Sequence, residues 1–462
     1  MAEPAYRLVE RPGGAVMFQS GETAVTAEMF LRHCHALAAM LPERADAGAH
    51  MINLCRHRYA FAVAFGASVL GRQVCLLTGE RSASALAMLA EAYPGSYIAT
   101  DQPGEDDAVG SLPVCVVAPG PGDGAAKTDL VPENPAIPAS QLAAIVFTSG
   151  STGMPTPHRK LWGALAERSH AAAVQFGLRV TSPCAIVGTV PPQHMYGFET
   201  TVLLPLHAPS SSWCGPTFYP TDVQSALTAV PEPRILVTTP LQMGGLLRAE
   251  TRLPPLRAVI SATAPLEADL AAAVEAQWQT EVLEIFGATE VGSIASRRTI
   301  EGDHWALYPD VRLTPQEHGV VVSGPFAAPV PLADEVELLE LDQFRLLGRR
   351  TDIVKLGGRR ASLSGLNRVL TGLAGVADGT FVVPDDLDQQ PSARLLAIVV
   401  APDRSADSIL LDLRQRIDPL FLPRRVVLVP SLPRNSLGKL PREALLRMVS
   451  QDANTGRPPA TS

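Results

Sequence analysis

RILVTT at Arg234–Thr239 is followed by LQMGGLLRAE, and LRAVISA at Leu256–Ala262 is followed by EADLAAAVEAQWQ and then by EVLEIF at Glu281–Phe286. This alternation of short β-branched runs with alanine- and leucine-rich stretches of helical length constrains the fold more than any other feature of the chain. A strand that returns parallel to its predecessor needs a crossover of a dozen or more residues, usually a helix. The pattern therefore specifies an α/β fold in which parallel-rich sheets carry helices on their faces. It runs through roughly the first 340 of 462 residues, and a chain this long exceeds what one core accommodates. Short strands without helices follow over Val311–Leu347, including GVVVSGP and ADEVELLE. After Asp352 comes a small α+β unit: TFVVP and LLAIVVA as strands, SILLDLRQRI as a helix, RRVVLVP as a strand and REALLRMV as a helix. The expected division is a core over residues 1–349, a small mobile domain over 350–450, and an unstructured polar tail over 451–462.

Charge and cysteine usage narrow the function classes. A net charge of −8 argues against general binding to nucleic acid or to a membrane surface. The chain has no uninterrupted apolar run of membrane-spanning length, and its N-terminus has no signal-peptide core. Its six cysteines lie in the first half without CxxC spacing, as expected for reduced thiols of a cytoplasmic protein.

The stretch TSGSTGMPTPHRK, Thr148–Lys160, follows the apolar run LAAIVF, which reads as a buried strand, and precedes a helical stretch from Leu161 onward. A flexible loop between strand and helix is where such sheets bind ligands. Gly150 and Gly153 permit close backbone approach, and successive N–H groups form a nest for anionic oxygens. Thr148, Ser149, Ser151 and Thr152 add hydroxyl donors. The loop suits a polyphosphate, although no GK[ST] follows at the spacing of a Walker A loop.

Three further segments stand in order behind this loop: Phe286-Gly287-Ala288-Thr289-Glu290, then Leu347–Lys355 (LGRRTDIVK) after Asp334, then Leu432–Lys439 (LPRNSLGK). Four motifs in this register resemble the adenylate-forming (ANL) superfamily of acyl- and aryl-CoA synthetases, peptide-synthetase adenylation domains and luciferases. The resemblance covers nearly the whole chain. It implies a large ATP- and acid-binding domain with a mobile C-terminal lid, and it implies roles residue by residue. Thr148–Gly153 would cradle the phosphates. Phe286 would stack on adenine, with Gly287 beside it. Thr289 would donate to the α-phosphate, and Glu290, with Thr152, would hold Mg²⁺ through hard oxygen ligands. Asp334 would accept from the ribose hydroxyls, Arg349 would offer a fork of donors, and Lys355 matches a lysine used by some aryl-CoA ligases. Lys439 would bridge carboxylate and α-phosphate, in a reaction that depends on positioning and electrostatics. The hinge falls on Thr351 and Asp352.

The chain also departs from the family. Thr156 stands where the loop usually carries lysine, and the basic residues come later, at His158, Arg159 and Lys160. The interval between Glu290 and Asp334 is short, so the distal β-subdomain is expected to be pared down. Pro191–Phe198 (PPQHMYGF) occupies the family's acyl-pocket motif. His194 is placed near the activated carboxylate and is a candidate catalytic residue beside Lys439, Thr289 and Glu290. Tyr196, Gly197 and Phe198 would narrow the cavity, and Thr239, Ala262, Thr263 and Ala264 would supply small and hydroxyl-bearing walls. Such walls suit a flat ring with a polar substituent. The loop and the short length resemble the AMP-ligases of aryl polyene and xanthomonadin pigment pathways. That resemblance implies a hydroxybenzoate-type acid loaded onto the phosphopantetheine thiol of an acyl carrier protein, or of coenzyme A. A medium-chain fatty acyl synthetase and a catalytically silent nucleotide-binding homologue are the alternative readings.

Overall fold

The structure is a computed structural model, and it describes residues 3–21, 23–42, 49–104, 112–117, 131–148, 156–317, 319–324, 329–340, 342–349, 353–356, 359–384, 394–434 and 440–455. The chain forms two compact units. The first comprises Met1–Pro315, Val321–Val330 and Leu339–Phe344; the second comprises Gln316–Val320, Pro331–Leu338 and Arg345–Ser462.

Two large sheets organise the first unit, and both are mainly parallel. In one, the strands run in the spatial order Thr156–Leu161, Leu142–Thr148, Val74–Leu77, His50–Asn53, Tyr97–Thr100, Val114–Val116. All its pairings are parallel except that of the first two strands. In the other, the order from His304–Leu307 is Gly292–Arg298, Glu281–Ala288, Ala258–Ser261, Arg234–Thr238, Cys184–Gly188, Ser210–Trp213, Val16–Ser20 and Thr23–Thr26. Its interior pairings, from Glu281–Ala288 to Val16–Ser20, are parallel. Strands covered on both faces become near-continuous apolar runs, and AVIS at Ala258–Ser261 and CAIVG at Cys184–Gly188 are buried at every position. The crossovers are the expected helices Pro240–Arg248 and Ala268–Trp278. All six cysteines are free.

The basic part of the ligand loop departs from expectation. Thr156–Leu161 is a strand, antiparallel to Leu142–Thr148, with Thr156 opposite Thr148, His158 opposite Val146 and Lys160 opposite Ala144. The helix begins only at Trp162. The segment Ser149–Pro155, which holds the Ser149, Gly150, Ser151, Thr152 and Gly153 candidates, lies outside the described residues, but it joins the two strands of a hairpin rather than a strand to a helix. A sequence of proline, histidine, arginine and lysine has little strand propensity. It is tolerated here because the strand ends its sheet, the position to which proline in a strand is largely confined.

The second unit holds the helix Leu363–Thr371, antiparallel strands Asp378–Val382 and Leu396–Val400, and Arg425–Leu428 parallel to the latter. Leu370, Phe381, Leu395, Ile409 and Leu413 pack in its core. Its last helix runs over Arg442–Thr455, reaching into the segment expected to be an unstructured tail. No helix among the described residues is long and apolar enough to cross a membrane.

Candidate active site

In an open parallel sheet, ligands bind outside the carboxyl ends of the strands, where the strand order reverses. That reversal occurs at Cys184–Gly188, whose neighbours on its two sides are Ser210–Trp213 and Arg234–Thr238. Three predicted substrate positions follow the ends of adjacent strands there. Thr239 follows Arg234–Thr238, Ala262 and Thr263 follow Ala258–Ser261, and the His194 segment follows Cys184–Gly188.

The hydroxyls at these strand ends are mostly engaged. Thr189 Oγ1 meets Gln242 Oε1 at 2.6 Å and Thr238 Oγ1 at 2.9 Å. Thr239 caps the Pro240–Arg248 helix by accepting from Gln242 N at 3.3 Å. Thr263 differs: its φ is +80°, a region that β-branched residues rarely enter, and its Oγ1 is buried with no hydrogen-bond partner among the described residues. Ala264 beside it is exposed. An outlier of this kind is worth reading as functional.

His194 caps the short helix Met195–Phe198 through Nδ1, which accepts from Tyr196 N at 3.4 Å. The Tyr196 hydroxyl lies between Ile260 O at 2.8 Å and Thr238 O at 3.1 Å, spanning two neighbouring strands. Phe198 does not join it as a pocket wall. Two residues apart on a helix, the rings point to opposite sides, and Phe198 is fully buried against Phe65 and Phe61, at centroid distances of 4.8 and 6.1 Å. Gly197 is required sterically, because a Cβ there would lie 2.1 Å from Pro191 O.

The Glu281–Ala288 strand carries the second motif. Phe286, 9% exposed, shares an aromatic cluster with Trp305 and Phe344, each 5.5 Å away. Neither Trp305 nor Phe344 was visible as a site residue in the sequence. Gly287 sits at a register shift in the ladder to Gly292–Arg298, and its missing side chain lets that strand pass, since a Cβ would fall 2.4 Å from Gly292 O. Val291 N then donates to Ala288 O at 3.1 Å, closing a tight elbow with Thr289 and Glu290 at its centre. Glu290 is exposed, so a hard carboxylate oxygen donor is presented at the elbow, and this chemistry fits a bound Mg²⁺.

Two buried charged side chains, neither a sequence candidate for this role, hold the elbow. Lys160 is 5% exposed, and its Nζ donates to Thr289 O and, at 2.8 Å, to Glu290 O. Burial pushes its pKa down to about 8, while the carboxylates of Glu199 and Glu290 act in the opposite direction. Glu199 opens a π-helical turn, Glu199–Leu203, directly after the His194–Phe198 motif; such turns often mark functional sites. Its carboxylate accepts from Ser293 Oγ at 2.6 Å and from Ser293 N at 3.2 Å. Arg168 Nη1 donates to Ser293 O at 3.1 Å. Burial raises the pKa of Glu199, and the Ser293 bonds, Lys160 and Arg168 act against that rise. The Thr156–Leu161 strand through Lys160 and the turn after the His194–Phe198 segment through Glu199 thus converge on residues 289–293.

The basic triplet divides accordingly. Lys160 turns inward, whereas Arg159 is exposed. His158 is half-buried, and its pKa is lowered by burial, with Glu290 opposing and Lys160 reinforcing the shift. Asp334 is buried at the start of Asp334–Glu340 in the second unit. The side chains of Thr148, Arg349 and Lys355 lie outside the described residues, as do Thr351, Asp352 and Lys439 altogether.

Known proteins resemble this chain along most of its length. A family model described as AMP-binding enzyme matches residues 6–330. A 4-coumarate–CoA ligase of Halorhodospira halophila is 31% identical over 312 residues, covering 63% of this chain and 73% of that protein. One of Rhodobacter capsulatus is 30% identical over 238 residues, covering 51% and 60%. Among solved structures, ATP-bound MatB from Rhodopseudomonas palustris superimposes with a TM-score of 0.79 at 20% identity, covering 96% of this chain and 97% of that one. The AMP complex of O-succinylbenzoate coenzyme A synthetase (MenE) from Bacillus subtilis gives 0.78 at 17%, covering 93% and 94%. At these identities the two structures establish the shared fold.

Proposed function

This chain belongs to the AMP-binding enzyme family, and from that premise we propose that it adenylates a carboxylic acid with ATP and passes the acyl group to a phosphopantetheine thiol. In the first half-reaction a carboxylate oxygen attacks the α-phosphorus of ATP, and the bond to the bridging oxygen breaks to release pyrophosphate. In the second, the thiol adds to the acyl carbonyl and AMP leaves with the mixed-anhydride oxygen. The observation that carries the reading is the hydrogen-bonded contact between the hairpin bearing the glycine–hydroxyl segment and the Thr289–Glu290 elbow, residues 129 and 130 positions apart from Lys160.

In this scheme Ser149–Gly153 and Thr148 hold the phosphates, Phe286 meets the adenine, and Asp334 and Arg349 take the ribose. Thr289 donates to the α-phosphate. Glu290 and Thr152 would hold Mg²⁺, which neutralises phosphate charge. By the family resemblance Lys439 offsets the repulsion between carboxylate and phosphate, and Thr351 and Asp352 are the hinge. His194 lies at the acid, and the Thr263 hydroxyl, without a partner among the described residues, meets a polar ring substituent. Lys355 completes the set.

The acid is taken to be aromatic, of the hydroxybenzoate or hydroxycinnamate type. The relatives named 4-coumarate–CoA ligase support an aryl acid and coenzyme A as acceptor. The resemblance to pigment-pathway AMP-ligases supports an acyl carrier protein presenting the same arm. The test is ATP–pyrophosphate exchange across a panel of benzoic, cinnamic and fatty acids, followed by coenzyme A and holo-carrier protein with the preferred acid. Exchange with aryl acids and Mg²⁺ is expected. Binding of ATP without exchange for any acid would instead establish a silent nucleotide-binding homologue.

A further inference from the structure

We propose that Lys160 is a positioning residue for adenylation, fixing the backbone of the Thr289–Glu290 elbow relative to the hairpin that carries the phosphate loop. The inference rests on the adenylation reading and assigns a role to a residue that this reading leaves unused.

A lysine normally snorkels, burying its stem and keeping its ammonium in water. Lys160 does the opposite, at 5% exposure, and a buried ammonium is costly unless its donors are satisfied. Strand geometry sends it inward. On Thr156–Leu161 alternate residues share a face, so Lys160 and His158 turn in while Arg159 turns out. Its acceptors are main-chain oxygens at the one place where the ladder cannot use them. Pairing between Glu281–Ala288 and Gly292–Arg298 ends at Ala288 opposite Gly292, and the elbow's own closing bond engages Ala288 O. The carbonyls of Thr289 and Glu290 are therefore left without strand partners, and one ammonium with three donors takes both.

Glu199 grips the other side of the same turn at Ser293, and a Cβ on Gly292 would come within 2.2 Å of Glu199 Oε1. The elbow is thus held from two directions, by the phosphate-loop hairpin through Lys160 and by the acyl-pocket helix through Glu199. Two consecutive peptide units are held at their carbonyls. This restrains the backbone from which the Thr289 hydroxyl and the Glu290 carboxylate project, without occupying either side chain.

The test compares Lys160→Met and Lys160→Gln with the wild-type full chain. Pyrophosphate release is followed as ATP, acid and Mg²⁺ are varied, with thermal midpoints read by tryptophan emission. For Lys160→Met the expected result is a fall in kcat of about 100-fold, the size associated with small misplacements. The Mg²⁺ concentration for half-maximal rate should rise about ten-fold, as for loss of an outer-shell partner, while KM for the acid stays within about two-fold. Lys160→Gln, which keeps a donor for one carbonyl, should fall between. A purely structural lysine would lower the thermal midpoint but leave the Mg²⁺ requirement of the folded fraction unchanged, and that result overturns the proposal. If Lys160→Met does not fold, Lys160→Gln decides by the same criteria; if neither folds, the lysine is structural and the proposal falls. Wild-type protein that releases no pyrophosphate with any acid would overturn the adenylation reading itself, and this proposal with it.

Discussion

Glu199→Ala tests the buried electrostatics at the elbow most directly. The carboxylate is 9% exposed and accepts from the Ser293 hydroxyl at 2.6 Å and the Ser293 amide at 3.2 Å. Removing it strips a charge-assisted bond of about 1.5–3 kcal/mol and leaves a buried N–H unsatisfied at about 1–3 kcal/mol. It also removes the negative charge that counters Lys160 and Arg168. These contributions overlap, so the expected total is the about 3–5 kcal/mol seen when one partner of a buried charge cluster is deleted. The assay is urea unfolding followed by tryptophan emission. All four tryptophans, Trp162, Trp213, Trp278 and Trp305, lie in the first unit, as does every tyrosine, so the signal reports that unit alone. With a slope of about 3 kcal/mol per M, the midpoint should fall by about 1 M or more. Glu199→Gln keeps the volume and one acceptor and should lose about half as much. Pairing Glu199→Ala with Lys160→Met should cost less than the sum of the two, because the second change removes a charge that the first had stranded. Additive losses would refute the electrostatic link between the two residues, and a single-mutant shift below about 0.3 M would refute the buried-charge account altogether.

Other perturbations follow from the same coordinates. His207 is buried with neither ring nitrogen hydrogen-bonded among the described residues, and burial, reinforced by His170, lowers its pKa to about 3. Its folded pKa lies below the unfolded value, so the unfolded chain takes up this proton first. His207 therefore contributes stability that is present above about pH 6.5 and is lost toward pH 3 at about 1.4 kcal/mol per pH unit. His207→Phe should remove that increment from a plot of urea midpoint against pH, and an unchanged acid slope would contradict it. Gly287→Ala places a methyl 2.4 Å from Gly292 O and 2.8 Å from Ser293 Cα, both backbone. It should cost about 1–3 kcal/mol by urea unfolding and depress pyrophosphate release by displacing the elbow. Tyr196→Phe leaves the carbonyls of Ile260 and Thr238 without their shared donor and should lower stability by about 1 kcal/mol, read by the same unfolding assay.

The parallel sheets were legible because buried strands and their crossover helices carry long, period-bearing signals. RILVT, AVIS and EVLEIFGA are strands at the expected places, with helices between them. The hairpin was not legible, because TPHRKL has the composition of a solvated loop and becomes a strand only through its antiparallel partner Leu142–Thr148. Phe198 was misplaced for a related reason. Aromatic residues adjacent in a motif look interchangeable in sequence, but a helical turn sends Tyr196 toward the strand ends and Phe198 into the core.

The motifs themselves were readable one by one, but the connections among them were not. Local propensity says nothing about a contact spanning 94 residues, such as Glu199 to Ser293, or 129, such as Lys160 to Thr289. Buried charges are the hardest case, because in sequence a lysine beside arginine and histidine resembles an exposed basic patch. One signal was available: if Thr156–Leu161 is a strand, Lys160 must share a face with His158 and oppose Arg159. That parity separates the triplet into one exposed cation and one committed to the protein's own backbone. It also bears on Thr156, which stands where the resemblance leads one to expect a lysine. Lys160 cannot serve as that lysine's replacement at the phosphates while its ammonium holds Thr289 O and Glu290 O, because moving it would release the elbow on which the Glu290 carboxylate is mounted. In the proposed reaction, positive charge near the β- and γ-phosphates would therefore come from a residue other than Lys160, and Arg159 is on the opposite face of this strand, beside His50 and Tyr93.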